Sequence, residues 1–238
     1  MKPQLKAAII SVLIILFTTV AEAQPKTQAK KLLDALMERN HKNALTAAQD
    51  IDNVNYVEKN GASLLIASAE SGYSDVCKIL LAKGASIDFQ SPNGTTALYI
   101  ASQDGRTEVA KLLLENGAHP DMQANNGATA LIVASEFGHP EIVNLLLDNN
   151  AKADLQDNDG TSALIMASQN GFTDIVKLLL ETDINVDLQD VNGSTALILA
   201  SQTGQKETVK LLLDKGANVD IQTKNGNSAL ILASLKGV

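Results

Sequence analysis

Six times along this chain a short apolar run of the type ALILAS follows a turn dipeptide, led by Gly61, Gly94, Gly127, Gly160, Gly193 and Gly226, always 33 residues apart. A second set of glycines, Gly72, Gly105, Gly138, Gly171, Gly204 and Gly237, keeps the same step eleven residues later. A fixed period without insertions defines a repeat array, in which each unit buries its apolar face only against its neighbours. Within a unit the Asn-Gly or Asp-Gly pair predicts a turn. Two residues on, Thr96, Thr129, Ser162, Thr195 and Ser228 are placed as N-caps for a first short helix that ends at the inner glycine. A second helix follows, over 107–115 in one unit, and carries Leu112 to Leu114, repeated at 145–147, 178–180 and 211–213. Three consecutive leucines cannot share one helix face, so this helix has to be covered on several sides.

The second helix is expected to end at Gly84, Gly117, Asn150, Asp183 and Gly216, where a left-handed residue would close it. Asp183 suits that conformation least, and Ile184 stands where the other units have Ala85, Ala118, Ala151 and Ala217. The fifth unit is therefore expected to be the loosest seam. The predicted fold is an all-α repeat solenoid, a stack of helix-turn-helix units joined by β-turn or hairpin loops. Residues 24–28 read as a polar linker and 29–238 as the array, with an N-terminal capping repeat at 29–59 that lacks both glycine markers. Full repeats are 60–92, 93–125, 126–158, 159–191 and 192–224, and 225–238 is partial.

Residues 1–23 stand outside the period. Lys2 and Lys6 precede an apolar run from Ala7 to Val20, followed by Ala21-Glu22-Ala23, the pattern of a secretory signal peptide cleaved between Ala23 and Gln24. A membrane span needs roughly 20 apolar residues, so the expectation is a periplasmic or secreted protein, with no membrane insertion after cleavage.

Composition then narrows the function. The net charge is −8, and one unit more negative once Lys2, Lys6 and Glu22 leave with the leader. No basic stripe is visible, which argues against nucleic acid as a partner. Aromatics make up 3% and Trp is absent, so the core has to come from Leu, Ile, Val and Ala. Cys77 occupies a slot filled elsewhere by Ala110, Val143, Val176 and Val209, which reads as helix packing rather than a reactive thiol. His41, His119 and His139 fall at unrelated register positions, so no metal or cofactor site is expected. The column Ser102, Ser135, Ser168, Ser201 and Ser234 has no histidine in phase to act as a base, and no catalytic residue is assigned. The column Asp88, Asp121, Asp154, Asp187 and Asp220, with Gln90, Gln123, Gln156, Gln189 and Gln222 beside it, cannot share calcium across a repeat spacing of about 10 Å. The carboxylates are expected to bond their own turns and link adjacent loops, and the glutamines to form an amide ladder.

The 33-residue period, the turn, the paired helices and the T-x-L-x-x-A core resemble the ankyrin repeat. In the best-matching unit Gly160, Ser162, Leu164, Ala167, Gly171, Ile175, Val176 and Leu178 to Leu180 stand on the family's hallmark positions. The family's helix-starting proline is replaced by Ala97, Ala130, Ala163, Ala196 and Ala229, and its histidine by Tyr99, Ile132, Ile165, Ile198 and Ile231. The resemblance implies a non-enzymatic scaffold that grips a protein partner with turn tips and first helices. Carried over position by position, that surface comprises Pro92, Asn125, Asn158, Val191 and Lys224 at the tips, with Thr95, Thr161, Ser194 and Asn227 after the glycine. On the first helices it comprises Tyr99, Gln103, Asp104, Glu136, Phe137, Gln169, Asn170, Gln202 and Thr203. These slots differ between units while the scaffold slots do not, and Phe137 is the expected anchor. Two alternatives stay open at this stage: a secreted effector acting on a host protein, and the binding part of a longer protein whose catalytic domain lies beyond Val238. The last unit also leaves Leu230 and Leu232 without a second helix, which would be met by further sequence, by a partner or by end-to-end self-association.

Overall fold

A computed structural model describes residues 27–236. The leader 1–23 and Gly237 lie outside the described residues. The chain divides into two compact units, Met1–Ser86 and Ile87–Val238. The division falls inside repeat 60–92 because the loop after Ser86 is tied forward: Asp88 accepts from His119 N, and Gln90 donates to Gln123 O.

The described part of the first unit contains α1 (27–37), α2 (His41–Gln49), α3 (Leu64–Ser71) and α4 (Ser74–Ala82). Residues 27 and 28, read from sequence as the end of a polar linker, are already helical, and 24–26 lie outside the described residues. Gln28 is already part of the fold, bonding Asp52 through both its amide groups. In α1, Ala29, Leu32, Leu33, Ala35 and Leu36 are buried while Lys30 and Lys31, and Glu38 just after the helix, are exposed. That division gives the capping unit its polar outer side. Arg39 stands in the inner-glycine column and takes its left-handed conformation, φ 52°, although it carries a Cβ. Asn40 then caps α2 by accepting from Asn43 N.

The second unit contains four helix pairs and a final single helix. These are α5 (Ala97–Gln103) with α6 (Thr107–Glu115), α7 (Ala130–Phe137) with α8 (Pro140–Asp148), and α9 (Ala163–Asn170) with α10 (Thr173–Leu180). The fourth pair is α11 (Ala196–Thr203) with α12 (Lys206–Asp214), and α13 (Ala229–Lys236) follows. Each first helix packs on the next, α5 on α7, α9, α11 and α13 in turn, and each second helix packs on its successor from α6 to α12. Helices α7, α9 and α11 are therefore enclosed by two neighbouring first helices and by their own partner, and Ala130 to Ser135 in α7 are all buried. The second helices show why their leucines come in threes. The middle residues Leu113, Leu146, Leu179 and Leu212 are fully buried, and their neighbours cover adjacent helices with partial exposure. Burying one such leucine contributes roughly 1.5–3 kcal/mol.

Local signals behave as their chemistry dictates. Thr96, Thr129, Ser162 and Thr195 each accept from the amide three residues on, at 3.1 to 3.3 Å. The second helices of the second unit have no such side-chain cap; their N-cap positions are Arg106, His139, Phe172 and Gln205. Three of these side chains press on the inner glycine one repeat back. A Cβ on Gly105 would meet the His139 ring at 2.6 Å, and one on Gly138 would meet Phe172 at 2.7 Å. The inner glycine is thus required for space as well as for its positive φ.

The loops are joined from unit to unit by three sets of hydrogen bonds. Asp88, Asp121, Asp154 and Asp187 accept from His119 N, Lys152 N, Asn185 N and Asn218 N at 2.9 to 3.1 Å. The expected link between adjacent loops is present, and the expectation that the aspartates also bond their own turns is corrected: each of the four reaches the next loop instead. The glutamines do both. Gln90 donates to Gly94 O at 2.9 Å and to Gln123 O at 3.0 Å, and Gln123 and Gln156 repeat the pair. Backbone bonds complete the set at the tips, from Asn125 N to Asn93 O, Asn158 N to Asn126 O, Val191 N to Asp159 O and Lys224 N to Asn192 O.

The fifth unit departs at the predicted place and in a different way. Gly84, Gly117, Asn150 and Gly216 all have positive φ, but Asp183 does not. Elsewhere the residue after this position donates its N–H back across the helix end, as Ala118 N does to Leu113 O and Ala151 N to Leu146 O. In α10 the equivalent acceptor, Leu179 O, takes the Thr182 N–H and the Thr182 hydroxyl instead, the latter at 2.7 Å.

Candidate interaction surface

The turn tips owe their shape to two backbone bonds each: Ser91 N donates to Thr95 O and Gly94 N to Ser91 O, with the same pair at 124, 157, 190 and 223. Locking the tip this way presents Pro92, Asn125, Asn158, Val191 and Lys224 outward, and all five are exposed. Two of them are also used by the fold. Asn125 Nδ2 donates to Pro92 O at 2.8 Å and Asn158 Nδ2 to Asn125 O at 2.9 Å. Pro92 has no N–H of its own, and in this unit the ladder begins with its carbonyl.

The positions after the glycine lie deeper. Ser194 is only 7% exposed and its amide donates to Asp190 Oδ1; Thr161 and Asn227 are half-buried with the same kind of bond, to Asp157 Oδ1 and Thr223 Oγ1. The Thr95 hydroxyl pairs with that of Ser91 at 2.7 Å. This column is packed between adjacent tips, as the buried Ala128 already indicates. Ser194 therefore belongs to the packing rather than to the open surface.

Tyr99 is a second correction. It is 8% exposed, in the column of Ile132, Ile165 and Ile198, each 2% exposed or less. Burial pushes its hydroxyl pKa up, against a hydrogen bond with Asn126 that lowers it. The sequence signal is present: Tyr99 shares its register with Ile66, Ile132, Ile165, Ile198 and Ile231, an apolar column.

At the ends of the first helices the arrangement is open. Gln103, Asp104 and Glu136 are half-buried, while Gln169, Asn170, Gln202 and Thr203 are exposed. Asn170 Nδ2 bridges to Glu136 O at 3.0 Å, and Thr203 Oγ1 bonds back to Leu199 O. Phe137, the last residue of α7, is 51% exposed. Of the serine column only Ser234 is exposed, and its hydroxyl donates to Ile231 O at 2.7 Å. Ser102, Ser135 and Ser168 are fully buried with hydroxyls that have no partner, and Cys77 is buried with its thiol pushed up to about 12 by desolvation. Among the described residues no group of three or more His, Cys, Asp or Glu is placed to hold a metal ion, and no helix is long and apolar enough to cross a membrane. His139 lies against the inner glycine with a ring nitrogen 3.1 Å from Gln103 O.

Of the two leucines of the last helix that the sequence leaves without cover, Leu230 is exposed and Leu232 is half-buried. Leu230 and Leu235 in α13 are 76% and 77% exposed. Beside them an open groove of about 530 Å³ is lined by Leu197, Leu213, Val219, Leu230 and Ala233 among others.

A turn-linked stack of short antiparallel helix pairs, holding unlike residues on its tips and first helices, is the build of a repeat interaction module. Compared with known families, the chain matches ankyrin repeats (3 copies) over residues 20–124, 116–190 and 183–238, and it belongs to the ankyrin repeat family. Modules of this family mediate protein–protein binding, which makes the chain a protein-interaction scaffold. A search of curated proteins returned no match.

Proposed function

We propose that this chain is a non-enzymatic, exported scaffold that holds a protein partner on the face formed by its turn tips and first-helix ends. The observation that carries the reading is Phe137: an aromatic side chain half open to solvent, where the other first-helix ends from α5 to α11 hold amides, a hydroxyl and acids. Interfaces concentrate their energy in a few aromatic or arginine anchors. Export rests on the pattern of residues 1–23, and N-terminal sequencing of the secreted or periplasmic protein should begin at Gln24.

Crosslinking capture with Phe137→Ala beside the native protein tests the interaction face. The expected result is loss of the captured protein with a thermal melt within about 0.5 kcal/mol of the native one, as for a surface substitution. Unchanged capture would remove the face from consideration. A second contact is favoured by the exposed leucines of α13: two copies joined through that apolar groove. Sedimentation over a range of concentrations tests it, with Leu230→Glu expected to leave monomer only.

A further inference from the structure

A second helix ends with carbonyls that its own turns leave unpaired, and a residue in the left-handed conformation folds the chain back over them. At that position α4, α6 and α8 have Gly84, Gly117 and Asn150, with φ of 88°, 87° and 62°. Helices α2 and α10 have Ile51 and Asp183 there, and neither takes a positive φ. Ile51 belongs to the core, at 1% exposure, and a β-branched side chain fits the left-handed region poorly. The C-caps of these two helices, Asp50 and Glu181, continue in right-handed backbone at φ −88° and −72°.

Both of these ends are met by a lysine of the following repeat. Lys83 Nζ donates to Gln49 O at 2.6 Å and to Ile51 O at 2.8 Å. Lys215 Nζ donates to Leu180 O and, at 3.4 Å, to Thr182 O. In each case the acceptors are the last helical residue and the one two places on. Each lysine also stands 32 residues after the position that does not close, Lys83 after Ile51 and Lys215 after Asp183. Where a helix closes itself, the same place in the next repeat holds a neutral residue that serves its own helix. Asn116 Nδ2 donates to Leu112 O and Asn149 Nδ2 to Leu145 O, both at 2.8 Å, and Thr182 Oγ1 donates to Leu179 O at 2.7 Å.

We infer that the second helices of this array are closed in one of two interchangeable ways, by a left-handed residue of their own or by a lysine of the following repeat, and that Lys83 and Lys215 close α2 and α10. A cation suits this place because it meets the negative pole of the helix as well as the carbonyls. The order of the helix end then becomes conditional. A local closure holds whatever the neighbour does, whereas undocking of the repeat that carries the lysine frees the carbonyls and opens the end before it. Each compact unit thus contains one joint through which the opening of a repeat passes back to its predecessor.

Native-state hydrogen exchange on the full-length chain tests this. Lys215→Met keeps the apolar stem and removes the charge; it should speed exchange of amides 181–185 about tenfold and leave 115–119 unchanged. Lys83→Met should do the same at 50–54, and Lys215→Arg, which keeps a cation, should stay near the native rates. Lys177→Met removes a cation of α10 itself, one that lies 3.8 Å from Asp174, and should leave 181–185 as they are. Asp183→Gly offers α10 a left-handed closure of its own, so Lys215→Met added to it should raise exchange less than about twofold. Acetylation of the native protein with limiting reagent, read by peptide mass spectrometry, needs no variant. Lys83 and Lys215 are exposed like Lys78, Lys111, Lys177 and Lys210, yet they should react more slowly. Unchanged exchange at 181–185 in Lys215→Met, an equal rise in Lys177→Met, or an undiminished effect of Lys215→Met on top of Asp183→Gly overturns the proposal. Should a variant lose its fold by circular dichroism, the order of acetylation decides, and equal reaction of Lys215 and Lys210 overturns it.

Discussion

Ser135 shows how much a single atom can matter inside this repeat. Its side chain is fully buried in α7 and its hydroxyl meets no partner, a condition shared by Ser102 and Ser168. A buried unsatisfied hydroxyl costs about 1–3 kcal/mol. Ser135→Ala is therefore expected to raise the urea midpoint by the equivalent of about 1 kcal/mol. Cys77 behaves in the opposite sense with pH. Its thiol is raised from 9.0 to about 12 by burial, so the folded state keeps a proton that the unfolded chain releases. Its contribution is fully present below pH 9.0 and is lost as pH rises from there towards about 12. Urea unfolding at pH 7 and pH 10.5 should show the native protein losing on the order of 1–2 kcal/mol more than Cys77→Val, whose side chain the same slot accepts in other units.

Among the helices, α10 is the one whose end is built differently. The four other second helices of the full repeats end on a left-handed Gly or Asn with a backbone bond closing over it, while α10 relies on the Thr182 hydroxyl. A side-chain bond at an exposed end opens more readily than a backbone closure, so amides 181–185 should exchange faster than 115–119 in native-state hydrogen exchange. Thr182→Ala is expected to cost about 1 kcal/mol, read as a lower denaturation midpoint. The equivalent Asn116 can be exchanged for alanine with less effect, because Ala118 N already closes α6 onto Leu113 O.

At the scale of the second unit, coupling between repeats is carried as much by the loops as by the leucines. Each internal aspartate ties its loop to the next one through a backbone N–H, and a charge-assisted bond of this kind contributes about 1–2 kcal/mol. Asp121→Ala should lower stability by that amount and broaden the unfolding transition, since repeat arrays unfold as coupled neighbours. Asp220 stands in the same column and accepts no such bond among the described residues, so Asp220→Ala should change little. The contrast separates loop coupling from a general effect of removing acid from a chain of net charge −8.

Much of this was readable before any coordinates. The 33-residue step determined the helix pairs, the caps at Thr96, Thr129, Ser162 and Thr195, the weak closure near Asp183 and the inert slot of Cys77, because each depends on chemistry within one unit or on comparison between units. The interaction face was legible only as a set of variable slots. Whether a slot opens to solvent depends on what the next repeat places over it, and that is a property of packing. Tertiary structure decided that Tyr99 and Ser194 are buried, that Asn125 and Asn158 serve the ladder, and that the aspartates make the expected link between loops without bonding their own turns. A residue's neighbours along the chain set its backbone; its neighbours one repeat away set what it is free to touch.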